Sequence, residues 1–184
     1  MKLKHIVLSV GLAFASQAYA VGPAITPDLI IYAGGGAEQN NVFETIAKSL
    51  FTPGTIDYYT DQADNSKGKT FRAVYGKLAA AAGPVPAGSN VLIVYRSLGG
   101  VFGNGVGPLV RGEPLPYEQV IGNATLVSAG GNPSYRITNT ALTTPHAPDI
   151  GLAPAVQLQG LGAQGAARSL SLGQTPIFAW SSRP

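Results

Sequence analysis

Cysteine is absent from all 184 residues, so disulfides, thiolate nucleophiles and thiolate metal sites are excluded. Stability must come from burial and hydrogen bonds. Charge is sparse: only 11% of the residues are Asp, Glu, Lys or Arg. The basic ones are scattered without a run or aromatic interleaving, which argues against a nucleic-acid partner. Histidine is limited to His5 and His146, too few without cysteine for an ordinary transition-metal site. No apolar run reaches the roughly 20 residues that span a bilayer, and no internal repeat is visible. Serine never stands in a Gly-x-Ser-x-Gly elbow. The nine carboxylates show no spacing that pairs two for acid and base work. These absences predict a non-enzymatic chain with no cofactor, no metal and no membrane anchor.

What is present begins with a leader. MKLKHIVLSVGLAFASQAYA combines Lys2 and Lys4, an apolar run from Ile6 to Ala15 and the small-x-small ending Ala18-Tyr19-Ala20, the pattern of a secretory signal peptide over 1–20. The expected mature chain starts at Val21 and is periplasmic or secreted. About 164 residues then remain, enough for one domain over 21–184. Without His5, His146 in the proline-flanked "TTPHAPD" is the one imidazole left, and the sequence predicts an exposed loop for it. Without Lys2 and Lys4 the net charge is about +1, so a pI of 9.2 overstates any attraction to acidic partners. With 45% apolar residues the chain folds rather than remaining disordered, and its 24 glycines and 14 prolines imply many turns.

Periodicity then orders the elements. "PDLIIYAGGGAEQNNVFETIAKSLF" reads as a buried strand, a glycine turn and an amphipathic helix with Val42, Phe43, Ile46, Ala47 and Leu50 on one face. Asn40 or Asn41 is the expected cap, and Pro53-Gly54 the stop. "TIDYYT" predicts a short strand and 70–82 a second helix, ended by Pro84 and Pro86. Asn90 to Tyr95 is an unalternating apolar run that suits a strand covered on both faces. "ATLVSA", "SYRIT", "PDIGLAP" and Pro176 to Trp180 predict further short strands. Tyr58, Tyr59 and Trp180 read as packing residues. Strands separated by helices imply an α/β fold: a three-layer, open, mostly parallel sheet with flanking helices.

Two loops share one design. "AGGGAEQNN" and "RSLGGVFGNGVG" each follow a buried strand with small residues. In an open α/β sheet a ligand lies beyond the carboxyl ends of the strands, where glycine lets backbone amides approach it. The candidate ligand-binding residues are Gly36, Ala37, Glu38, Arg96, Ser97, Gly99 and Gly100, with Ser97 offering a hydroxyl and Arg96 a charge. The same glycines also suit tight strand-to-helix turns, and both readings stand at this level. Neither loop is a dinucleotide fingerprint, since "GGGAEQ" places Gln39 where the third glycine belongs. Neither carries Gly-Lys-Ser/Thr.

With these residues in view, the chain resembles the type 2 periplasmic solute-binding proteins, in particular the phosphate-binding proteins of ABC transporters. Their Gly-Ala-Gly-Ala-Thr turn is similar to "GGGAE", their Ser-Ser-Gly-Gly to "SLGG" and their Asp-Phe-Gly-Ala-Ser-Asp to "DIGLAP", in the same order. The resemblance covers Asp28 to Pro154 and implies one lobe of a two-lobed protein, hence a truncated or one-lobe relative. It implies an anion or other small-molecule ligand, an ABC permease as partner, and Ser97 with the amides near Ala37 and Gly99 as donors. The implied anion is one such as phosphate, although Glu38 replaces the family's anion-binding threonine and Pro154 its closing aspartate. The alternatives are a structural or interaction protein of the cell envelope, and a non-functional fragment of a longer binding protein.

Overall fold

A computed structural model describes residues 26–61, 70–98, 100–153 and 177–180. The expected leader, Gly99 and Pro154 lie outside them. The fold is α/β. Strand β1 (Leu29–Gly34) leads through a 3-10 turn (Ala37–Gln39) into α1 (Asn40–Leu50). Then come β2 (Asp57–Thr60), β3 (Phe71–Lys77) and β4 (Asn90–Arg96). A π-helical turn (Val101–Gly105) continues into α2 (Val106–Arg111). Six short strands follow: β5 (Leu115–Glu118), β6 (Ala124–Ser128), β7 (Ser134–Ile137), β8 (Thr143–His146), β9 (Ile150–Ala153) and β10 (Ile177–Trp180).

Eight strands form one sheet in the order β10-β9-β1-β4-β3-β2-β7-β6, while β5 and β8 pair apart as a two-stranded ribbon. Only β9 with β1, β1 with β4, and β2 with β7 run parallel; the other four contacts are antiparallel. The sheet is therefore mixed, which corrects the expectation of a mostly parallel one. The reason is β3. The predicted helix over 70–82 is a strand lying antiparallel between β2 and β4. Phe71, Ala73 and Tyr75 enter the core on one face of the sheet and Val74 the core on the other. A segment buried on both faces has no polar stripe to give a surface helix, and its aromatic and β-branched side chains suit a pleated surface. Gly76 is required there because a Cβ would press into the Phe51 ring, at 2.7 Å from Cγ.

The three layers are also built differently from the expectation. On one face α1 covers Val91, Ile93 and Tyr95 of β4 with Phe43 and Ala47, and the Phe43 and Tyr95 rings stack at 4.8 Å. On the other face Leu115, Tyr117 and Val120 of the β5–β8 ribbon region pack against Leu92, Val94, Tyr59 and Tyr75. The flanking layer there is a β-ribbon rather than helices. Burial of β4 on both sides is what its unalternating apolar run predicts. His146 is exposed as expected, but it closes β8 instead of lying in a loop. The helix cap differs as well: the 3-10 turn makes Gln39 the residue before α1, and its side chain accepts no cap hydrogen bond from the first turn. The Arg72 guanidinium instead reaches the Asn40 carbonyl at 3.4 Å and pairs with Glu44, tying the first turn of α1 to β3.

Candidate functional site

Parallel pairing of β1 with β4, from Leu29 opposite Val91 to Gly34 opposite Arg96, forces the two glycine loops to leave the same end of the sheet. Gly35 N–H donates to the Arg96 carbonyl at 3.1 Å and the Tyr95 hydroxyl to the Gly36 carbonyl at 2.6 Å, so the start of one loop is fixed by the strand beneath the other. Gln39, Ser97 and Asn104 are buried at this end, each 5% exposed. Ser97 N–H donates to the Thr70 carbonyl at 2.9 Å, and the side-chain nitrogen of Asn104 has no hydrogen-bond partner.

The glycines have a packing role in this arrangement. A Cβ on Gly34 would overlap the Asn104 carbonyl oxygen, and one on Gly105 would lie 3.0 Å from the Leu152 carbonyl oxygen and 3.2 Å from the Gly35 Cα. The π-helical turn therefore lies backbone to backbone on the ends of β1 and β9, an approach open only to glycine. Gly36 is buried, and the Glu38 carboxylate folds back over it, where a Cβ would collide. Ala37 and Glu38 are exposed, as is Gly100, which takes a positive φ of 73°.

Arg96 stands apart from the rest. Side chains alternate along a strand, so Arg96 leaves β4 on the face of Leu92 and Val94, opposite Tyr95 and the Gly36 turn. There it meets β5. Its charge pulls down the pKa values of Tyr117 and Glu118, against a larger upward push from burial. Glu118 is 8% exposed, and burial drives its carboxyl up to about 7, with Asp61 adding to the rise. The Tyr117 hydroxyl, Glu118 Oε2 and Arg96 Nε are buried without partners. Beside them the Tyr32 ring stacks on His146 at 4.1 Å and tilts against Tyr117 at 4.9 Å. Asp149, the first residue of the third motif, works structurally: its Oδ2 accepts from Tyr32 N–H at 2.9 Å and its own N–H donates to the Tyr32 carbonyl at 2.7 Å.

The loops predicted from sequence thus converge, and Ser97 with Gly36, Ala37 and Glu38 shares one sheet end, while Arg96 faces the ribbon. Sequence reasoning passed over Arg72, Asn104 and Glu118. An arginine inside the apolar stretch "FRAVY" was a signal for a buried ion pair. Glu118 carried none, because its burial depends on the ribbon pairing Glu118 with Thr143. Among the described residues no group of three metal-ligating side chains occurs, and no helix is long and apolar enough to cross a membrane. No family model, curated protein or solved structure matches the chain.

Proposed function

We propose that the chain is an exported, non-enzymatic solute-binding domain that holds a small solute or anion beyond the carboxyl ends of β1 and β4 and presents it to an ABC-type permease. The observation that carries this reading is the parallel pairing of those strands, which gathers Ser97, the Gly36 turn and the unpartnered side-chain amide of Asn104 at one sheet end. That is where open α/β sheets bind ligands. A bound anion requires the Glu38 carboxylate to swing off Gly36, since two like charges do not share that turn.

The test is thermal unfolding and calorimetric titration of the purified protein with inorganic phosphate, sulfate and a panel of small solutes. A ligand of the native state raises Tm by mass action. Ser97→Ala and Asn104→Ala are each expected to weaken the responding ligand by roughly tenfold, the effect of one lost hydrogen bond in a buried site. Unchanged affinity in both variants would sink the assignment.

One observation favours a second reading, an envelope protein that acts by assembly. Strand β6 ends the sheet, and its Leu126 and Val127 are 55% and 41% exposed; an apolar edge strand is a template for pairing with another chain. Size-exclusion chromatography separates the two: oligomers dispersed by Leu126→Lys support assembly, and a monomer at all concentrations removes it.

A further inference from the structure

Between α1 and the part of the sheet formed by β9, β1 and β4 lies a cavity of about 270 Å³. Its floor includes Ala33 of β1, Ile93 of β4 and Leu152 of β9, and its roof Phe43 and Ala47 of α1. These five residues are no more than 6% exposed, whereas Leu50, which also borders the cavity, is 41% exposed. The cavity is therefore closed beneath the helix and opens beside Leu50. Every described residue on its wall is apolar.

The way α1 is held explains why the space stays open. Its charged flank is tied to the far side of β4: Glu44 pairs with Arg72 of β3, and Lys48 Nζ stands 5.5 Å from the ring centroid of Tyr58 in β2. In the order β9-β1-β4-β3-β2, both ties draw the helix away from β9. The Phe43 ring, stacked on Tyr95 at 4.8 Å, is fixed as well. Parallel pairing of β1 with β4 and β9 sets the floor, and the small side chains of Ala33 and Ala47 leave the gap between floor and roof unfilled.

Such a wall offers no donor, acceptor or charge, which excludes ions, metals and hydrogen-bonded solutes, and water does not settle where it has no polar partners. An apolar cavity of roughly 150 Å³ takes benzene, so 270 Å³ accommodates on the order of ten carbon atoms at the same packing. The rim on α1 adds no ionic anchor. The Ser49 hydroxyl donates to the Ile46 carbonyl at 2.7 Å, and Glu44 and Lys48 are engaged on the opposite flank. We infer that this cavity binds an uncharged hydrocarbon of about the size of a fused bicyclic ring. The site is separate from the strand-end loops, so each assignment stands or falls alone: phosphate and sulfate titrations report on the loops, and hydrocarbon titrations on the cavity.

The experiment is titration of the purified protein with benzene, naphthalene and 2-naphthoate, followed by NMR with the methyl shifts of Ile93 and Leu152 locating the probe. Naphthalene is expected to bind on the order of tenfold tighter than benzene, from the extra apolar area taken out of water. It should exceed 2-naphthoate by on the order of tenfold too, because a carboxylate finds no donor on this wall. Ala47→Leu, which fills the space from the helix, should raise Tm and abolish naphthalene binding. Ile46→Trp, on the half-buried rim, should block it equally if leucine is not accommodated at 47. Equal affinities for benzene and naphthalene, or for naphthalene and 2-naphthoate, would overturn the proposal in the unaltered protein. So would naphthalene binding that survives both variants, or shifts that leave Ile93 and Leu152 untouched. A dimer that Leu50→Lys disperses would give the cavity to a second copy instead, and absence of binding by every probe to the folded protein would mean that the chain fills the cavity itself; either result overturns the assignment.

Discussion

Asp57 is fully enclosed at the start of β2, at 0% exposure, with neither carboxyl oxygen hydrogen-bonded. It sits opposite Tyr75, whose hydroxyl is also without a partner. Burial pushes the Asp57 carboxyl from 3.8 up to about 7, and Glu118 from 4.5 to about 7. Both folded values lie above the unfolded ones, so the folded chain holds protons that the unfolded chain releases. Their contribution to stability is complete below about pH 4 and is lost as pH rises towards 7. Tm is therefore expected to decline from pH 5 to pH 8, and Asp57→Asn should flatten that decline and raise Tm at pH 8 by about 5 °C. A level profile in the unaltered protein would mean that Asp57 is ionised and matched in the fold. Gly34 offers a second test at this scale. Gly34→Ala drives a Cβ into the Asn104 carbonyl, a backbone atom that cannot swing aside, and about 3 kcal/mol or more of destabilisation is expected by denaturant titration. That the glycine loops turn the chain at the ends of buried strands was legible from composition. Their packing duty was not, because it depends on the π-helical turn lying across β1 and β9.

At the scale of the element, α1 behaves as its spacing predicts. Phe43 and Ala47 face the sheet, and Phe43, 4% exposed, stacks on Tyr95. Phe43→Ala should cost about 3–5 kcal/mol, the range for an aromatic side chain removed from a packed core, read from urea unfolding. It should also loosen the loop held by Tyr95, seen as faster amide exchange at Gly36 and Gln39. An unchanged exchange rate would separate the helix from the site. The segment 70–82 teaches the converse. "FRAVYGKLAAAA" satisfies a helical template by count, yet its first seven residues are a strand, because β2 and β4 supply backbone partners on both sides and two cores cover its faces. Strand β2 itself, β4, β6, β7 and β9 were readable as short apolar runs bounded by turns. The ribbon strands were not. Their Pro116 and Pro145 face each other in one non-central pair, the setting in which proline is tolerated in β-structure.

For the whole molecule, the amino-acid sequence determined the class. Buried runs that do not alternate, an amphipathic helix after the first of them, and glycine turns at the strand ends require an α/β sheet covered on both faces, and β1, α1 and β4 stand where those patterns place them. The tertiary structure decided the rest. It made the sheet mixed by inserting β3, covered one face with a β-ribbon instead of helices, and turned Arg96 toward Glu118 and away from the Gly36 turn. Local patterns record which residues avoid water, since that is a property of each side chain along its own segment. Which strands become neighbours, and which charged side chains meet, depends on contacts between residues far apart in the chain, and no single segment carries that information.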